Sequence, residues 1–209
     1  MTDYAAVPRT TEATSAAAVS RADAARLSHS AGWWGMVILV ASEATLFGAF
    51  IGTYFYLRFR TTPWPPVGIP KPALVVPLIL LAVLVATTIP MAFASRAAQA
   101  GRLHATRFFI AVVLLVEAGY FAYEVHDFAD QLHRTDITRN AYTSIYYTLL
   151  GADHAHVFVA VLLNLWLLAK LMRGFTTYRL NAVRAITFYV YAVNVLTIVV
   201  FGTLLSARA

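Results

Sequence analysis

The chain has 209 residues, of which 60% are hydrophobic and 12% are charged, and its formal net charge is +6. A soluble domain carries about 25% charged residues, so this composition predicts a single-domain integral membrane protein. The sequence contains no cysteine, which excludes disulfides, thiolate metal sites and cysteine nucleophiles. No basic cluster is interleaved with aromatic residues, so we expect no nucleic-acid partner.

The first thirty residues differ from the rest of the chain. Met1–Ser30 is rich in Ala, Ser and Thr and contains no long apolar run. A signal peptide needs an apolar core of about 7–15 residues, so this segment is not interpreted as one. We expect a mobile cytoplasmic tail over residues 1–30, with a short helix near Ser20–Leu27, followed by a membrane domain over residues 31–209.

Five apolar stretches follow the tail, each long enough to cross a bilayer, which takes about 20 helical residues. They are Trp33–Leu57, Ala73–Ala94, Phe108–Phe128, about Tyr146 to Met172, and Ala182–Leu205. Strands of a membrane barrel would be about 10 residues long and would alternate in polarity, which these stretches do not. Because backbone amides find no water in lipid, the sequence predicts an all-α fold, a polytopic transmembrane bundle of five helices.

Lysine and arginine indicate how the bundle is oriented. The tail, the Ser95–Arg107 loop and the Lys170–Arg184 loop together hold ten of these residues, and the opposite side holds six. Positive residues favour the cytoplasmic side of a membrane. We therefore expect a cytoplasmic N-terminus and an outer C-terminus.

Several polar side chains fall inside the predicted spans, where they are costly and usually mark function or a required partner. They are Glu43, Glu117, Glu124, Asp153, His154, His156, Asn164 and Asn194. Three interpretations are open. The residues form hydrogen-bonded pairs that fix helix register, for example Glu43 with His156; they form a proton or lipid-headgroup site; or some of them bind a metal.

A metal site would use oxygen and nitrogen ligands from Glu43, Asp153, His154 and His156. However, His154 and His156 are two residues apart and so lie about 200° apart around a helix. The Glu-x-x-His spacing of di-iron bundles is absent, and no pair of histidines on facing helices suggests haem ligation. We expect this chain to have no catalytic, metal or cofactor-binding residues of its own.

Four groups of residues, in this order and spacing, resemble subunit III of the haem-copper oxidases in its short bacterial form. They are Trp34-Gly35-Met36 followed by Ser42-Glu43; Trp64-Pro65-Pro66-x-Gly68-Ile69; Glu124 in the third span; and Tyr142-x-Ser144-x-Tyr146-Tyr147 followed by Gly151 and His156-Val157.

The sequence also departs from that family pattern. Asp153 stands where the family has the first histidine of its H-G-x-H element, and His154 stands where it has the glycine. The last span ends its motif on Asn194, where the family carries an aspartate. The resemblance therefore indicates a divergent member of the family.

The resemblance implies an accessory, non-redox subunit of a respiratory terminal oxidase in the bacterial inner membrane. Such a subunit packs on the catalytic subunit I, with subunit II in the same complex, binds phospholipid and supports sustained proton uptake. The haem and copper are expected in the partner subunits. Two alternatives remain: an accessory subunit of a nitric oxide reductase, or a small transporter or channel, whose expected internal repeat is not visible here.

Overall fold

The computed structural model describes residues 31–69, 71–174 and 176–208. The expected tail, with its helix near Ser20–Leu27, lies outside the described residues. Within those ranges all regular structure is helical. Five helical segments are long and apolar enough to cross a membrane, which confirms the predicted all-α bundle of five spans.

Six α-helices make up the five spans, because two of them follow each other in one span. Their bounds are α1 Ala31–Arg60, α2 Val75–Ala86, α3 Thr88–Gln99, α4 Leu103–Arg134, α5 Ala141–Leu171 and α6 Thr177–Leu205, with a 3-10 turn at Ser206–Arg208. At 1.5 Å per residue the longest helices measure about 45 Å, against about 30 Å of hydrocarbon. Their ends therefore reach the headgroup layer, which explains why they extend beyond the apolar stretches of the sequence.

The second span, Val75–Gln99, is interrupted at Thr87, where α2 ends and α3 begins. Pro90 has no amide hydrogen, so the carbonyl of Ala86 lacks its usual partner four residues ahead. At the junction the Thr87 amide donates to the Leu84 carbonyl, three residues back, at 3.0 Å, which is the spacing of a 3-10 turn. The proline thus divides the span into two helices.

Short local signals set the other boundaries. Pro63, Pro65 and Pro66 follow α1 and prevent it from continuing. Gly101 takes a φ of 71° in the turn between α3 and α4, a conformation that favours glycine. Asn140 begins α5 with a capping box, in which its side chain accepts from the Thr143 amide at 3.0 Å.

In the bundle, α5 lies between α4 and α6, α1 packs on α6 and α5, and α3 packs on α4 and α6. The apolar core has two clusters. One contains Met91, Ile110 and α5 from Val157 onward, and the other contains Phe47 and the Ile145–Leu150 stretch of α5. Between those two stretches α5 carries Asp153, His154 and His156, so the candidate site lies between the two clusters.

Candidate functional site

A buried polar contact between a glutamate and a histidine joins α4 to α5. His154 Nε2 and Glu124 Oε2 are 2.9 Å apart, and both side chains are less than a tenth exposed. The ring of Phe128 meets the His154 ring edge to face, with centroids 5.4 Å apart. The aromatic contact holds the imidazole in place, so the pair has a defined geometry away from water.

A second glutamate–histidine contact joins α1 to α5. His156 Nε2 lies 3.5 Å from Glu43 Oε1, and the two side chains are 15% and 13% exposed. The contact that the sequence analysis named is therefore present. His156 Nδ1 lies 2.6 Å from the Ala152 carbonyl, which can only accept, so this ring nitrogen carries a proton. Nε2 is then the ring nitrogen that faces the Glu43 carboxylate.

Asp153 makes the contact between α5 and α6. Its Oδ1 accepts a hydrogen bond from the Thr197 hydroxyl at 2.8 Å, and both residues are buried. Within the described ranges its second oxygen, Oδ2, has no hydrogen-bond partner, and the same is true of His154 Nδ1 and the Tyr120 hydroxyl. The site therefore keeps unused donors and acceptors beside its paired groups.

The remaining candidates lie elsewhere in the bundle. Glu117 accepts from the Asn164 side chain at 2.8 Å, again between α4 and α5. Asn194 of α6 donates to the Leu84 carbonyl at 3.4 Å and to the Thr87 hydroxyl at 3.3 Å, at the junction of α2 and α3. These two groups tie helices together but do not contact either histidine.

The arrangement gives each histidine its own carboxylate. His154 and His156 point to different neighbours, α4 and α1, as their separation around α5 requires. Across the described ranges no three His, Asp or Glu side chains come together as a group that could hold one metal ion. Chemically, each pair can share a proton, and together the contacts link α5 to three other helices.

Sequence reasoning missed Thr197 and Thr87 as partners. A threonine in an apolar helix usually bonds its own backbone carbonyl three or four residues back, so it carries no signal of a contact between helices. The Thr87 hydroxyl bonds its own span and also a neighbouring helix. It donates to the Leu84 carbonyl at 2.6 Å and accepts from the Asn194 side chain of α6. Only the rotation of each helix decides which side chains meet.

The sequence motifs quoted above also meet in space. Trp64 of the proline-rich loop packs edge to face on Tyr54 of α1 and on Tyr142 of α5, with centroids 5.4 and 4.9 Å away. Its indole donates to the Tyr54 hydroxyl at 3.1 Å. The loop thus packs on α1 and α5, two of the three spans that carry the other motifs.

The fold and the site together define a multi-pass helical membrane protein whose buried polar side chains are paired between helices. The family model described as cytochrome c oxidase subunit III matches residues 18–205. The chain belongs to the cytochrome c oxidase subunit III family, which confirms the resemblance seen in the sequence. Membership of this family implies an accessory subunit of a haem-copper oxidase.

Three curated relatives are similar over most of their length. A probable cytochrome c oxidase subunit 3 from Nocardia farcinica is 27% identical over 182 residues, which cover 83% of this chain and 87% of the relative. The cytochrome c oxidase subunit 3 of Thermostichus vulcanus is 23% identical over 172 residues, covering 81% and 84%. That of Bacillus sp. strain PS3 is 24% identical over 162 residues, covering 76% and 73%.

Proposed function

We propose that this chain is the non-redox accessory subunit of a respiratory haem-copper oxidase in the bacterial cell membrane. It packs on catalytic subunit I, with subunit II in the same complex, and supports assembly and sustained proton uptake. Haem and copper belong to those partner subunits, and phospholipid is bound by this one. Family membership supports the accessory role, and one structural observation supports the packing of this chain on a partner subunit.

That observation is the outer face of α1. Only Phe47 and Tyr54 of its thirty residues are buried. Gly48, Ala49 and Gly52 form an exposed strip of small residues, and a Cβ added at either glycine would meet open space. Small residues allow membrane helices to approach closely, so this face fits a helix of a larger partner.

The polar groups on that face are already satisfied. The Thr45 hydroxyl donates to the Ala41 carbonyl at 2.9 Å, and the Thr53 hydroxyl donates to the Ala49 carbonyl at 2.8 Å. A partner helix would therefore meet a surface of methyl groups and backbone with no unpaired hydroxyl. Van der Waals packing is the main force available to such a contact in lipid.

A glycine substitution tests the docking. Gly52→Leu adds a large side chain to the proposed contact, and we expect the tagged chain to lose the haem-containing subunits that co-purify with the unmodified protein. Gly119→Leu is the matched control, because Gly119 is also an exposed helical glycine with open space around it, on α4. The readout is the haem spectrum for each mole of tagged chain. Equal haem content in both variants, or none with the unmodified chain, would contradict the proposal.

The orientation is part of the same proposal. The excess of lysine and arginine supports a cytoplasmic position for the α3–α4 turn and an outer position for the α4–α5 loop. Because the natural sequence has no cysteine, single cysteines at Gln99 and Gln131 can be labelled selectively. We expect an impermeant thiol reagent added to intact cells to label only the Gln131 position. Labelling of Gln99 under the same conditions would reverse the orientation.

We infer a structural role for the buried polar pairs. Each pair joins α5 to a different helix, and hydrogen bonds between helices fix their register in a membrane. Under this proposal the oxidase moves its protons through the partner subunit, and the pairs keep this subunit in the shape that the partner recognises. The substitutions in the Discussion distinguish this role from proton transfer.

A further inference from the structure

Three buried polar atoms near the Glu124–His154 contact have no hydrogen-bond partner among the described residues. They are the Tyr120 hydroxyl on α4, and Asp153 Oδ2 and His154 Nδ1 on α5. The three residues are 3%, 1% and 5% exposed. Buried polar groups in native proteins almost always have a partner, either in the protein or in an ordered water. Three such atoms in one part of the core therefore indicate a ligand that satisfies them.

The three residues share one region of the interface between α4 and α5. Asp153 and His154 are neighbours in the chain, and Glu124, the partner of His154, lies one helical turn beyond Tyr120 on the same side of α4. The Tyr120 hydroxyl is close enough to Glu124 and Asp153 for their charges to act on it. Asp153 is in turn close enough to interact with the charges of His154 and Glu124. The unpartnered atoms therefore lie around the same buried contact.

The three atoms differ in the hydrogen bonds that they can make. With the Glu124 carboxylate accepting from His154 Nε2, the other nitrogen of the neutral ring, Nδ1, is an acceptor. Asp153 Oδ1 already accepts from the Thr197 hydroxyl, so Oδ2 is the carboxylate oxygen left to accept. The Tyr120 hydroxyl has one hydrogen to donate. The region thus presents two acceptors and one donor.

A water molecule matches this set. Its two O–H groups supply the two acceptors and its oxygen receives the tyrosine hydrogen, which gives the water three hydrogen bonds. Buried waters typically make about three hydrogen bonds to groups that would otherwise be unsatisfied. An anion would be repelled by Asp153, and an apolar ligand would leave all three atoms without a partner. A metal ion does not fit either, because no three His, Asp or Glu side chains of the described ranges come together to hold one.

We propose that one ordered water molecule binds between α4 and α5, where it accepts from Tyr120 and donates to Asp153 Oδ2 and His154 Nδ1. The water joins two contacts that are otherwise separate, since Asp153 bonds Thr197 of α6 and His154 bonds Glu124 of α4. One hydrogen-bonded network then runs from α4 through α5 to α6. The site lies inside this chain, so it does not depend on the partner subunits of the proposed function.

The first test is the sign of a stability change. Tyr120→Phe removes the hydroxyl and keeps the ring. If the hydroxyl donates to a bound water, the variant should raise the equilibrium constant for unfolding of the full chain in detergent about fivefold, the effect of one lost hydrogen bond. A hydroxyl without a partner would give the opposite sign, because removing an unsatisfied buried polar group stabilises the folded state.

Tyr123→Phe is the matched control. Tyr123 lies on the same helix, three residues further along, and its side chain is 48% exposed. Water at the surface can replace what its hydroxyl contacts, so the unfolding equilibrium should not change. An equal loss of stability in both variants would count against the water site.

The second test distinguishes a water from a direct bond between Tyr120 and a carboxylate. A short X-ray pulse converts water to hydroxyl radicals, which oxidise the side chains beside them, and mass spectrometry locates the oxidised residues. A buried side chain reacts when an ordered water lies next to it. We expect oxidation of Tyr120 in the unmodified full chain. Tyr54 should not react, because it is also buried and its hydroxyl accepts from the Trp64 indole at 3.1 Å.

Two results would overturn the proposal. A gain of stability in Tyr120→Phe would show that the hydroxyl has no partner. Resistance of Tyr120 to oxidation, equal to that of Tyr54, would show that any partner is a protein group and not a water. Both measurements use the full chain without partner subunits, so neither result bears on the docking to an oxidase, which is tested by haem co-purification.

Discussion

Glu124 and Glu43 each reach a histidine of α5, from opposite sides of that helix. The Glu124–His154 contact is 2.9 Å long and lies in the core, whereas the Glu43–His156 contact is 3.5 Å long and partly exposed. Both pairs have the same chemistry, so the difference between them comes from depth and from the helix that supplies the carboxylate. Solvent cannot replace a lost partner in the buried Glu124–His154 pair. It can do so in part at the Glu43–His156 pair, which is partly exposed.

The largest effect is expected at the inner pair. Glu124→Ala leaves the His154 imidazole buried without its hydrogen-bond partner, at a cost of about 3 kcal/mol, the upper end of the range for a buried polar group left unsatisfied. The measurement is the free energy of unfolding of the purified chain in detergent. Glu124→Gln keeps an acceptor within reach and serves as the control, with a smaller loss. Equal stability of the Ala variant and the unmodified chain would show that His154 finds another partner.

An intermediate effect is expected at Asp153, which comes directly before the two histidines in sequence. Thr197→Val removes its hydrogen-bond donor and leaves a buried carboxyl unpaired, at a cost of roughly 1–3 kcal/mol. Thr203→Val is the matched control, because the Thr203 hydroxyl bonds only the Val199 carbonyl of its own helix, at 2.8 Å. The control should change stability by less than about 0.5 kcal/mol. If both variants lose the same amount, the Asp153–Thr197 contact adds nothing between helices.

The smallest effect on stability is expected at the outer pair. Glu43→Ala should cost about 1 kcal/mol, because the contact is long and water or a lipid headgroup can approach His156. Glu43→Gln should cost less, since it retains a hydrogen bond. A cost for Glu43→Ala equal to that for Glu124→Ala would remove the distinction between the two pairs.

The same Gln variant tests whether the outer pair carries protons. If its role is structural, the oxidase containing Glu43→Gln should assemble and keep both its turnover rate and its active lifetime. The measurement is oxygen consumption by the purified complex through prolonged turnover. Normal assembly followed by early loss of activity would replace the structural role with a role in proton transfer.

Much of the fold could be predicted because membrane spans follow from length and apolar composition. The contact of Glu43 with His156 could also be anticipated, since a carboxylate at membrane depth needs a donor and few are available in the sequence. His154 pairs with Glu124 because of the way α4 and α5 face each other. The sequence alone left a lipid headgroup open as another partner for His154. The composition of a span does not reveal how its helix is rotated about its own axis.

The loose packing of α2 could not be predicted from the sequence, and the reason is different. Residues 75–86 are all apolar, yet Leu84 is the buried one, whereas the less apolar α3 buries Met91, Ala94, Ala97 and Ala98. In a membrane the lipid is as apolar as the core, so hydropathy does not separate the two environments. Small residues, which let helices approach, give the better signal, and α3 has them.

The interruption at Thr87 affects how the second span fits bilayers of different thickness. The second span has 25 residues, about 37 Å of helix, whereas the hydrocarbon layer measures about 30 Å. A span that is too long is accommodated by tilt. Because α3 buries four residues and α2 buries one, we expect α2 to take up most of the tilt. The subunit therefore adjusts to a thinner or thicker membrane at one half-helix, while the spans that carry the polar pairs keep their depth.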